Sequence, residues 1–282
     1  MAVSAHAPEN RRAIMVTGAS RGIGRAIALE LAAAGHDLVL TARSTTGGAR
    51  FEGTSRTDPL AGMALSGSVD EVAIACRGFG SRVVAVALDL TDAESVAAAA
   101  DEALRHFPVI DTLISNAIYQ GPGVNDLVDD LSLDLVRRVI EADAVAPLIL
   151  SQRFLPGMAA SSRGVFIHLT SGAATLDPKA PAGAGGWGLA YAMAKGAAHR
   201  IAGVLQAEYR DAGLRAYSLN PGHVLTEVME QRAALAGREP TGGRPDDVAW
   251  AAAWLVAGSD DAVALAGGEV VSRDILRRWR GS

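Results

Sequence analysis

The stretch VTGASRGIGRAIALELAAAG, residues 16–35, decides the fold, because it joins an apolar run to a helical pattern through three glycines. Gly18, Gly22 and Gly24 let the backbone turn tightly and come close to a ligand. The helix that follows would offer free N–H groups and the positive end of its dipole. Strand, glycines and helix stand in the order that a pyrophosphate-binding turn requires, so the stretch predicts such a turn.

Short apolar runs alternate with helical patterns along the rest of the chain. Most runs are continuously apolar, which is typical of strands buried on both faces of a parallel sheet. The predicted strands cover residues 13–18, 37–42, 82–90, 112–117, 164–171, 214–222 and, more weakly, 268–272. The predicted helices cover about 22–34, 68–78, 92–106, 132–158, 188–212 and 246–257. The alternation predicts an α/β fold: a Rossmann-type doubly wound sheet of about seven mostly parallel strands, flanked by helices on both faces.

The length of 282 residues suits one domain at 13–282, preceded by a flexible tail at 1–12. Long loops at 44–67, 172–187 and 223–245 interrupt the alternation. Loops of this length in compact domains are commonly functional. The last two directly follow predicted strands, so we expect them at the carboxyl edge of the sheet, where ligands bind.

Composition excludes several classes of protein. The net charge is −5 and no Lys/Arg cluster forms a basic stripe, which argues against nucleic acid as a partner. No charge-free apolar run is long enough to span a membrane, and the first residues lack the apolar core of a signal peptide. We therefore expect a cytoplasmic protein. The single cysteine, Cys76, is expected to be a buried, unreactive thiol. No cluster of side chains has the spacing of metal ligands.

The end of the second predicted strand bears on the choice of dinucleotide. An acidic residue there would accept hydrogen bonds from the adenosine ribose and repel a 2′-phosphate. The chain has Ala42 at this position and Arg43 after it, and Arg21 lies in the glycine turn. Two guanidinium groups without a carboxylate favour a phosphate. We therefore expect NADP(H) rather than NAD(H).

One predicted helix carries a phenol and an amine on the same face. Tyr191 and Lys195 stand four positions apart in YAMAK. A tyrosine has an ordinary pKa of about 10, so it is a weak acid or base at neutral pH. A nearby ammonium group in a dry cleft stabilises the phenolate and lowers that pKa.

Six motifs in order resemble those of the short-chain dehydrogenase/reductase family, in its single-domain branch. They are TGASRGIG, DL at 89–90, SNAI at 115–118, TS at 170–171, YAMAK, and NPGHVLT at 220–226. The resemblance covers about residues 13–272. It implies a Rossmann fold, a nicotinamide cofactor, and hydride transfer at a carbonyl or alcohol carbon.

The resemblance also implies roles for individual residues. Tyr191 would be the proton donor, Lys195 would lower its pKa and bind the nicotinamide ribose, and Ser171 would position the substrate oxygen. The implied cofactor-binding residues are Gly18, Ser20, Arg21, Gly22, Ile23, Gly24, Arg43, Asp89, Leu90, Asn116, Ala117, Tyr191, Lys195, Pro221, Gly222, Val224 and Thr226. A homodimer or homotetramer, assembled through the helices at 132–158 and 188–212, is the family expectation.

Two positions depart from the family pattern. Asp143 stands where the family has an asparagine whose main-chain carbonyl holds a water connected to the lysine. Pro147 cannot donate to the carbonyl of residue 143, so that carbonyl stays free for a water. An ionised Asp143 would partly offset the effect of Lys195 on Tyr191, unless Asp143 faces solvent. Ile118 replaces a family glycine, and we expect this bulkier side chain either to narrow the cleft or to face the substrate. His168 lies near Ser171, but strand alternation favours a core position for it.

The residues therefore predict an NADP(H)-dependent oxidoreductase for a small ketone or secondary alcohol. An NAD-linked alcohol dehydrogenase and a non-catalytic NADP-binding sensor on the same fold are the alternatives. The expected pocket suggests an apolar or aromatic substrate, because its candidate lining is Ile118, Tyr119, Trp187, Leu225 and Met229.

Overall fold

The computed structural model describes residues 11–280. Most of the predicted tail, residues 1–10, lies outside the described residues. Arg11 and Arg12, which the sequence assigned to that tail, are bonded to the body: Arg11 pairs with Asp37, and Arg12 donates to the carbonyl of Arg163. No helix within 11–280 is long and apolar enough to cross a membrane.

Seven strands form one sheet in the order β3-β2-β1-β4-β5-β6-β7, and every pair is parallel. The order reverses between β1 and β4, so the carboxyl ends of these two strands border the switch point where doubly wound sheets bind ligands. The strands are β1 Ala13–Thr17, β2 Asp37–Ala42, β3 Val83–Ala87, β4 Thr112–Ser115, β5 Val165–Leu169, β6 Arg215–Asn220 and β7 Glu269–Val271. The predicted doubly wound α/β fold is confirmed.

Helices cover both faces of the sheet. They are α1 Gly22–Ala33, α2 Val69–Arg77, α3 Ala93–His106, α4 Leu133–Ile140, α5 Ala146–Ser161, α6 Leu189–Tyr209, α7 Glu227–Leu235, α8 Pro245–Ala257, α9 Asp260–Ala264 and α10 Ser272–Ile275. A π-helical segment, Glu141–Val145, joins α4 to α5, and another, Leu276–Arg280, follows α10. Five of the six predicted helices occur at nearly the predicted bounds, whereas the helix predicted at 132–158 is divided into α4 and α5 by the π-helical segment Glu141–Val145.

Among the described residues, two large apolar clusters form the core, one on each face of the sheet, and a third, small cluster consists of Val124, Val139, Ala190 and Ala194. Ile14 and Val16 of β1 pack in the cluster with α1, α2 and α8, whereas Met15 packs in the cluster with α3 and α5. This division follows from the alternation of side chains along a strand. Cys76 lies in the first cluster, and burial raises the pKa of its thiol to about 11, as expected of an inert core cysteine.

Candidate active site

The glycine turn after β1 forms a cradle at the carboxyl edge of the sheet. Gly18 and Gly22 have positive φ angles of 68° and 54°. A Cβ at Gly24 would lie 2.2 Å from the carbonyl oxygen of Gly18, so only glycine fits this close crossing. Among the described residues, none caps the first turn of α1 through a side chain. The backbone N–H groups at this end of α1 are therefore suited to an anion such as a pyrophosphate.

Asn116 and Ala117, directly after β4, brace this turn. The amide Nδ2 of Asn116 donates to the carbonyl oxygens of Thr17, at 2.8 Å, and Gly18, at 3.3 Å. The backbone N–H groups of Asn116 and Ala117 both donate to the hydroxyl of Thr17. Asn116 therefore holds the shape of the glycine turn, a role that the sequence did not predict for it.

The two arginines predicted near the adenosine lie close together. The charge of Arg43 contributes to a lowered pKa of Arg21, although burial is the larger cause. Arg21 donates to the carbonyl oxygens of Ser66 and Gly67, at 3.1 and 3.3 Å. Arg43 forms an exposed ion pair with Glu52, at 2.8 Å. The end of β2 carries no acid, as expected, but Glu52 of the long loop supplies a carboxylate to Arg43 that the sequence did not predict.

The remaining predicted cofactor contacts lie at the ends of β3 and β6. Asp89 accepts from the backbone and hydroxyl of Thr91, and Leu90 is buried behind it. The Val224 side chain packs in the core, so any ligand contact there has to come from its main chain. Thr226 faces the glycine turn, since its Cγ2 lies 3.4 Å from where a Cβ of Gly22 would stand. Two further predicted contacts, Ser20 and Ile23, lie in the glycine turn and at the start of α1. Two others, Pro221 and Gly222, directly follow β6.

Ser171, Tyr191 and Lys195 meet beyond the carboxyl end of β5. The buried amine of Lys195 donates to the carbonyl oxygen of Leu169, the last residue of the strand, at 2.7 Å. Ser171 lies within hydrogen-bonding reach of the Tyr191 phenol. The structure therefore brings together a hydroxyl, a phenol and an amine from one strand end and one helix face.

Burial governs the protonation of this cluster. It raises the pKa of Tyr191 above the ordinary value, while the bond with Ser171 lowers it and the charge of Asp143 raises it. Burial also lowers the pKa of Lys195 to about 8. The sequence predicted a Tyr191 pKa lowered by Lys195. The net direction is the opposite, because removal of the phenolate from water outweighs the favourable interactions.

Asp143 lies in the π-helical segment and is fully buried. Its Oδ1 accepts from the backbone N–H of Tyr119 at 2.6 Å, and its Oδ2 has no partner among the described residues. Burial raises the pKa of the Asp143 carboxyl to about 6, against the lowering effects of Lys195 and the Tyr119 N–H. The alternative that Asp143 faces solvent is wrong: the carboxyl is part of the electrostatics of Lys195 and Tyr191.

The π-helical segment directly precedes Pro147. The N–H of Ala146 donates to the carbonyl of Glu141, five residues back, instead of four. Proline at 147 removes the next N–H from the helical ladder, which accounts for the irregularity here. The segment turns Asp143 toward the loop after β4, where Tyr119 lies.

His168 of β5 is buried beside the same cluster. Its Nδ1 lies 3.3 Å from the hydroxyl of Ser115, and burial holds its pKa well below the ordinary value. The positive charge of Lys195 acts in the same direction. The ring is therefore neutral and packs within the sheet layer. The neighbouring Thr170 bonds to His199 instead, at 2.9 Å.

These features define a class: a dinucleotide-binding α/β protein with a hydroxyl, a phenol and an amine beside its phosphate-binding turn. The family model "short chain dehydrogenase" matches residues 12–58 and 60–235. The chain therefore belongs to the short-chain dehydrogenase family. As a member, it is an oxidoreductase that uses a nicotinamide cofactor and a small-molecule substrate.

Named relatives support this membership. The chain is 30% identical over 270 residues to cis-4-hydroxycyclohexanecarboxylate dehydrogenase of Sinomonas cyclohexanicum, covering 93% of this chain and 95% of the relative. It is 27% identical to cyclohexanol dehydrogenase of an Acinetobacter species, with 93% of each chain covered. A solved short chain dehydrogenase from Burkholderia cenocepacia, in complex with NADP, is 25% identical, with a TM-score of 0.72 and coverage of 93% and 96%.

Proposed function

We propose that the protein transfers hydride between NADP(H) and a ketone or secondary alcohol, with Tyr191 as the acid and base. The observation that carries the proposal is the meeting of Ser171, Tyr191 and Lys195 beside the glycine turn. The cradle at Gly24 and the free N–H groups of α1 fit a dinucleotide. When bound, the nicotinamide supplies or accepts the hydride.

Side chains of the chain itself transfer the proton, position the substrate oxygen and stabilise the phenolate. In the direction of reduction, the Tyr191 phenol gives its proton to the substrate oxygen, and Ser171 holds that oxygen in place. The Lys195 ammonium stabilises the phenolate that remains, by Coulomb attraction in a dry cleft. Because the pKa of Tyr191 is raised, the phenol is protonated at neutral pH and ready to donate. Oxidation requires the phenolate, so its rate should rise with pH.

Replacing Tyr191 tests the chemistry directly. Tyr191→Phe should lower kcat for carbonyl reduction by about 10²- to 10⁴-fold, because a positioned proton donor contributes this much. Binding of NADPH should persist, measured by quenching of tryptophan fluorescence. Tyr209→Phe, at the far end of the same helix, is the matched control and should retain full activity. Equal loss in both variants, or full activity of Tyr191→Phe, would refute the assignment.

The preference for NADP(H) rests on Arg21, in the glycine turn, and Arg43, whose charge acts on Arg21. A 2′-phosphate would take Arg43 from Glu52, an exchange that an exposed ion pair permits. Arg43→Ala should therefore weaken NADP⁺ and leave NAD⁺ nearly unaffected in a direct binding assay. NADP⁺ affinity that does not change would refute the preference. Glu52 itself favours the second candidate, an NAD-linked dehydrogenase, because a carboxylate can accept the ribose hydroxyls.

Alicyclic secondary alcohols are the first substrates to test. Two relatives are named for oxidising cyclohexane-ring alcohols. The expected lining of Ile118, Leu225 and Met229 offers an apolar surface for such a ring. A panel of cyclohexanols, with and without a ring carboxylate, compared with linear 2-alkanols, should show higher kcat/KM for the cyclic members. A preference for linear or strongly polar alcohols would contradict this substrate class.

We also propose assembly through α5 and α6. These helices expose the apolar side chains Leu148, Met193 and Val204, at 41%, 45% and 51%, and a second copy of the chain packed there would cover them. Light scattering should report a dimer or tetramer, and Val204→Arg should shift it toward the monomer.

A further inference from the structure

The long loop after β2 is folded into a structured lobe, defined here as residues 44–67. Its two arms pair as a short antiparallel bridge between Arg50 and Ala64, and the N–H of Phe51 donates to the carbonyl of Met63. Phe51 and Leu60 are buried inside it. The lobe therefore has its own small core, unlike a loop that only connects two elements.

The lobe is centred on the buried carboxylate of Asp58. Its Oδ2 accepts from the backbone N–H of Thr54 at 2.8 Å, and its Oδ1 accepts from that of Leu60 at 3.1 Å. These bonds hold the pKa of Asp58 below its ordinary value, against the raising effect of burial. An ionised carboxylate with 1% side-chain exposure requires a cationic partner.

The partner of Asp58 comes from α7, 174 positions further along the chain. Arg232 forms an ion pair with Asp58 and donates to the hydroxyl of Thr54 at 3.1 Å. Its guanidinium lies over the Phe51 ring, 5.7 Å from the centroid. Arg232 is thus held by a charge, a hydroxyl and an aromatic face, all from the lobe.

Helix α7 has little else to fix it. Of the residues Glu227–Leu235, all of which the structure describes, none is buried. Its second polar anchor also comes from the lobe, where Ser66 donates to Glu227 at 2.9 Å. Helices in proteins are normally stabilised by packing of an apolar face, and α7 lacks a buried one. Polar contacts with the lobe therefore carry a large share of its positioning.

The lobe is anchored on the opposite side as well. Arg56 pairs with Asp126 at 2.9 Å, and the carbonyl of Thr54 accepts from the backbone N–H of Asn125 at 2.8 Å. Asn125 in turn accepts from the N–H of Gly188, directly before the helix that carries Tyr191. The lobe thus connects α7 to the loop after β4 and to the start of α6.

We propose that this lobe is a fixed wall of the substrate pocket and that Asp58 is a positioning residue, which holds α7 over the site through Arg232. Thr226, next to the glycine turn, and the pocket residues Leu225 and Met229 lie on or beside α7, so their placement depends on this ion pair. The pocket is therefore formed before substrate arrives and favours compact substrates. Only this statement about substrate rests on the proposed function.

Hydrogen exchange of the ligand-free protein tests the positioning without any turnover. Arg232→Met keeps the alkyl stem over Phe51 but removes the charge and the Thr54 bond. Exchange of the amides in 227–235 should accelerate by about tenfold, while that of the strands stays unchanged. Arg232→Lys should restore part of the protection. Arg238→Met, at an exposed arginine three residues after α7, is the matched control and should behave like the wild type.

Kinetics then separate the positioning from the chemistry. In Arg232→Met, KM for the carbonyl substrate should rise by about tenfold, with a smaller loss in kcat, because the reacting groups on α6 are untouched. Exchange at 227–235 equal to that of Arg238→Met would overturn the proposal. Faster exchange without turnover on any substrate would instead support the positioning and refute the proposed reaction.

Discussion

The most consequential single residue is Asp143, because it adds a carboxyl to a cluster that depends on positive charge. The carboxyl is buried and one of its oxygens has no partner within residues 11–280, so its ionisation is costly and its pKa is raised to about 6. Near and above neutral pH it is ionised in most molecules. Its charge then raises the pKa of Tyr191 and also that of Lys195. One residue therefore opposes formation of the phenolate while it favours the ammonium.

Asp143→Asn should shift the pH–rate profile of alcohol oxidation to lower pH. The amide carries no charge, so the contribution that raises the pKa of Tyr191 disappears and the phenolate forms at lower pH. The shift should be about one pH unit or less, measured as kcat/KM between pH 6 and 11. Asp134→Asn, an exposed aspartate on α4, is the control. An unmoved profile in Asp143→Asn would show that the carboxyl does not act on Tyr191.

At the scale of elements, the sequence predicted what depends on local pattern. Continuous apolar runs gave all seven strands, and the glycine spacing gave the turn before α1. Pro147 marked the irregularity between α4 and α5, although the π-helical geometry itself was not predicted. The helix α7 was visible only as a short helical pattern, since it has no apolar face to reveal it.

The position of the lobe at 44–67 was not predictable, because the bonds that anchor it join residues far apart in sequence. Nothing in the local pattern pairs Asp58 with Arg232, or Glu52 with Arg43. The sequence correctly showed that no acidic residue ends β2, but it did not show that the lobe supplies a carboxylate to Arg43. The pKa of Tyr191 was mispredicted for a related reason, since the degree of burial depends on tertiary packing.

The Glu52–Arg43 pair makes a prediction about cofactor selectivity. If the 2′-phosphate of NADP⁺ replaces Glu52 as the partner of Arg43, Glu52→Gln should tighten NADP⁺ binding by about two- to fivefold, the worth of an exposed ion pair. Binding of NAD⁺ should be unchanged or weaker, measured by calorimetry at one ionic strength. Glu239→Gln, at an exposed position outside the lobe, is the control. Weaker binding of NADP⁺ in Glu52→Gln would contradict the exchange of partners.

At the scale of the whole molecule, the carboxyl ends and the amino ends of the strands carry different kinds of polar groups. The candidate site occupies the carboxyl edge. At the amino edge, Asp111 accepts from the N–H of Ala13 at 2.9 Å and pairs with Arg163. Asp37, the first residue of β2, pairs with Arg11 and Arg82 there. These carboxylates fix the starts of neighbouring strands, so changes at this edge should affect stability but not the site.

Asp37→Ala tests this separation. The Asp37 side chain is 2% exposed and accepts from both the backbone N–H and the guanidinium of Arg82. Its removal leaves the backbone N–H without its acceptor, so the free energy of unfolding should fall by about 2 kcal/mol in urea denaturation. Asp101→Ala removes an exposed partner of Arg153 and should cost less than about 1 kcal/mol. KM and kcat of both folded variants should equal those of the wild type. A changed KM in Asp37→Ala would mean that strain at the amino edge reaches the site through the strands.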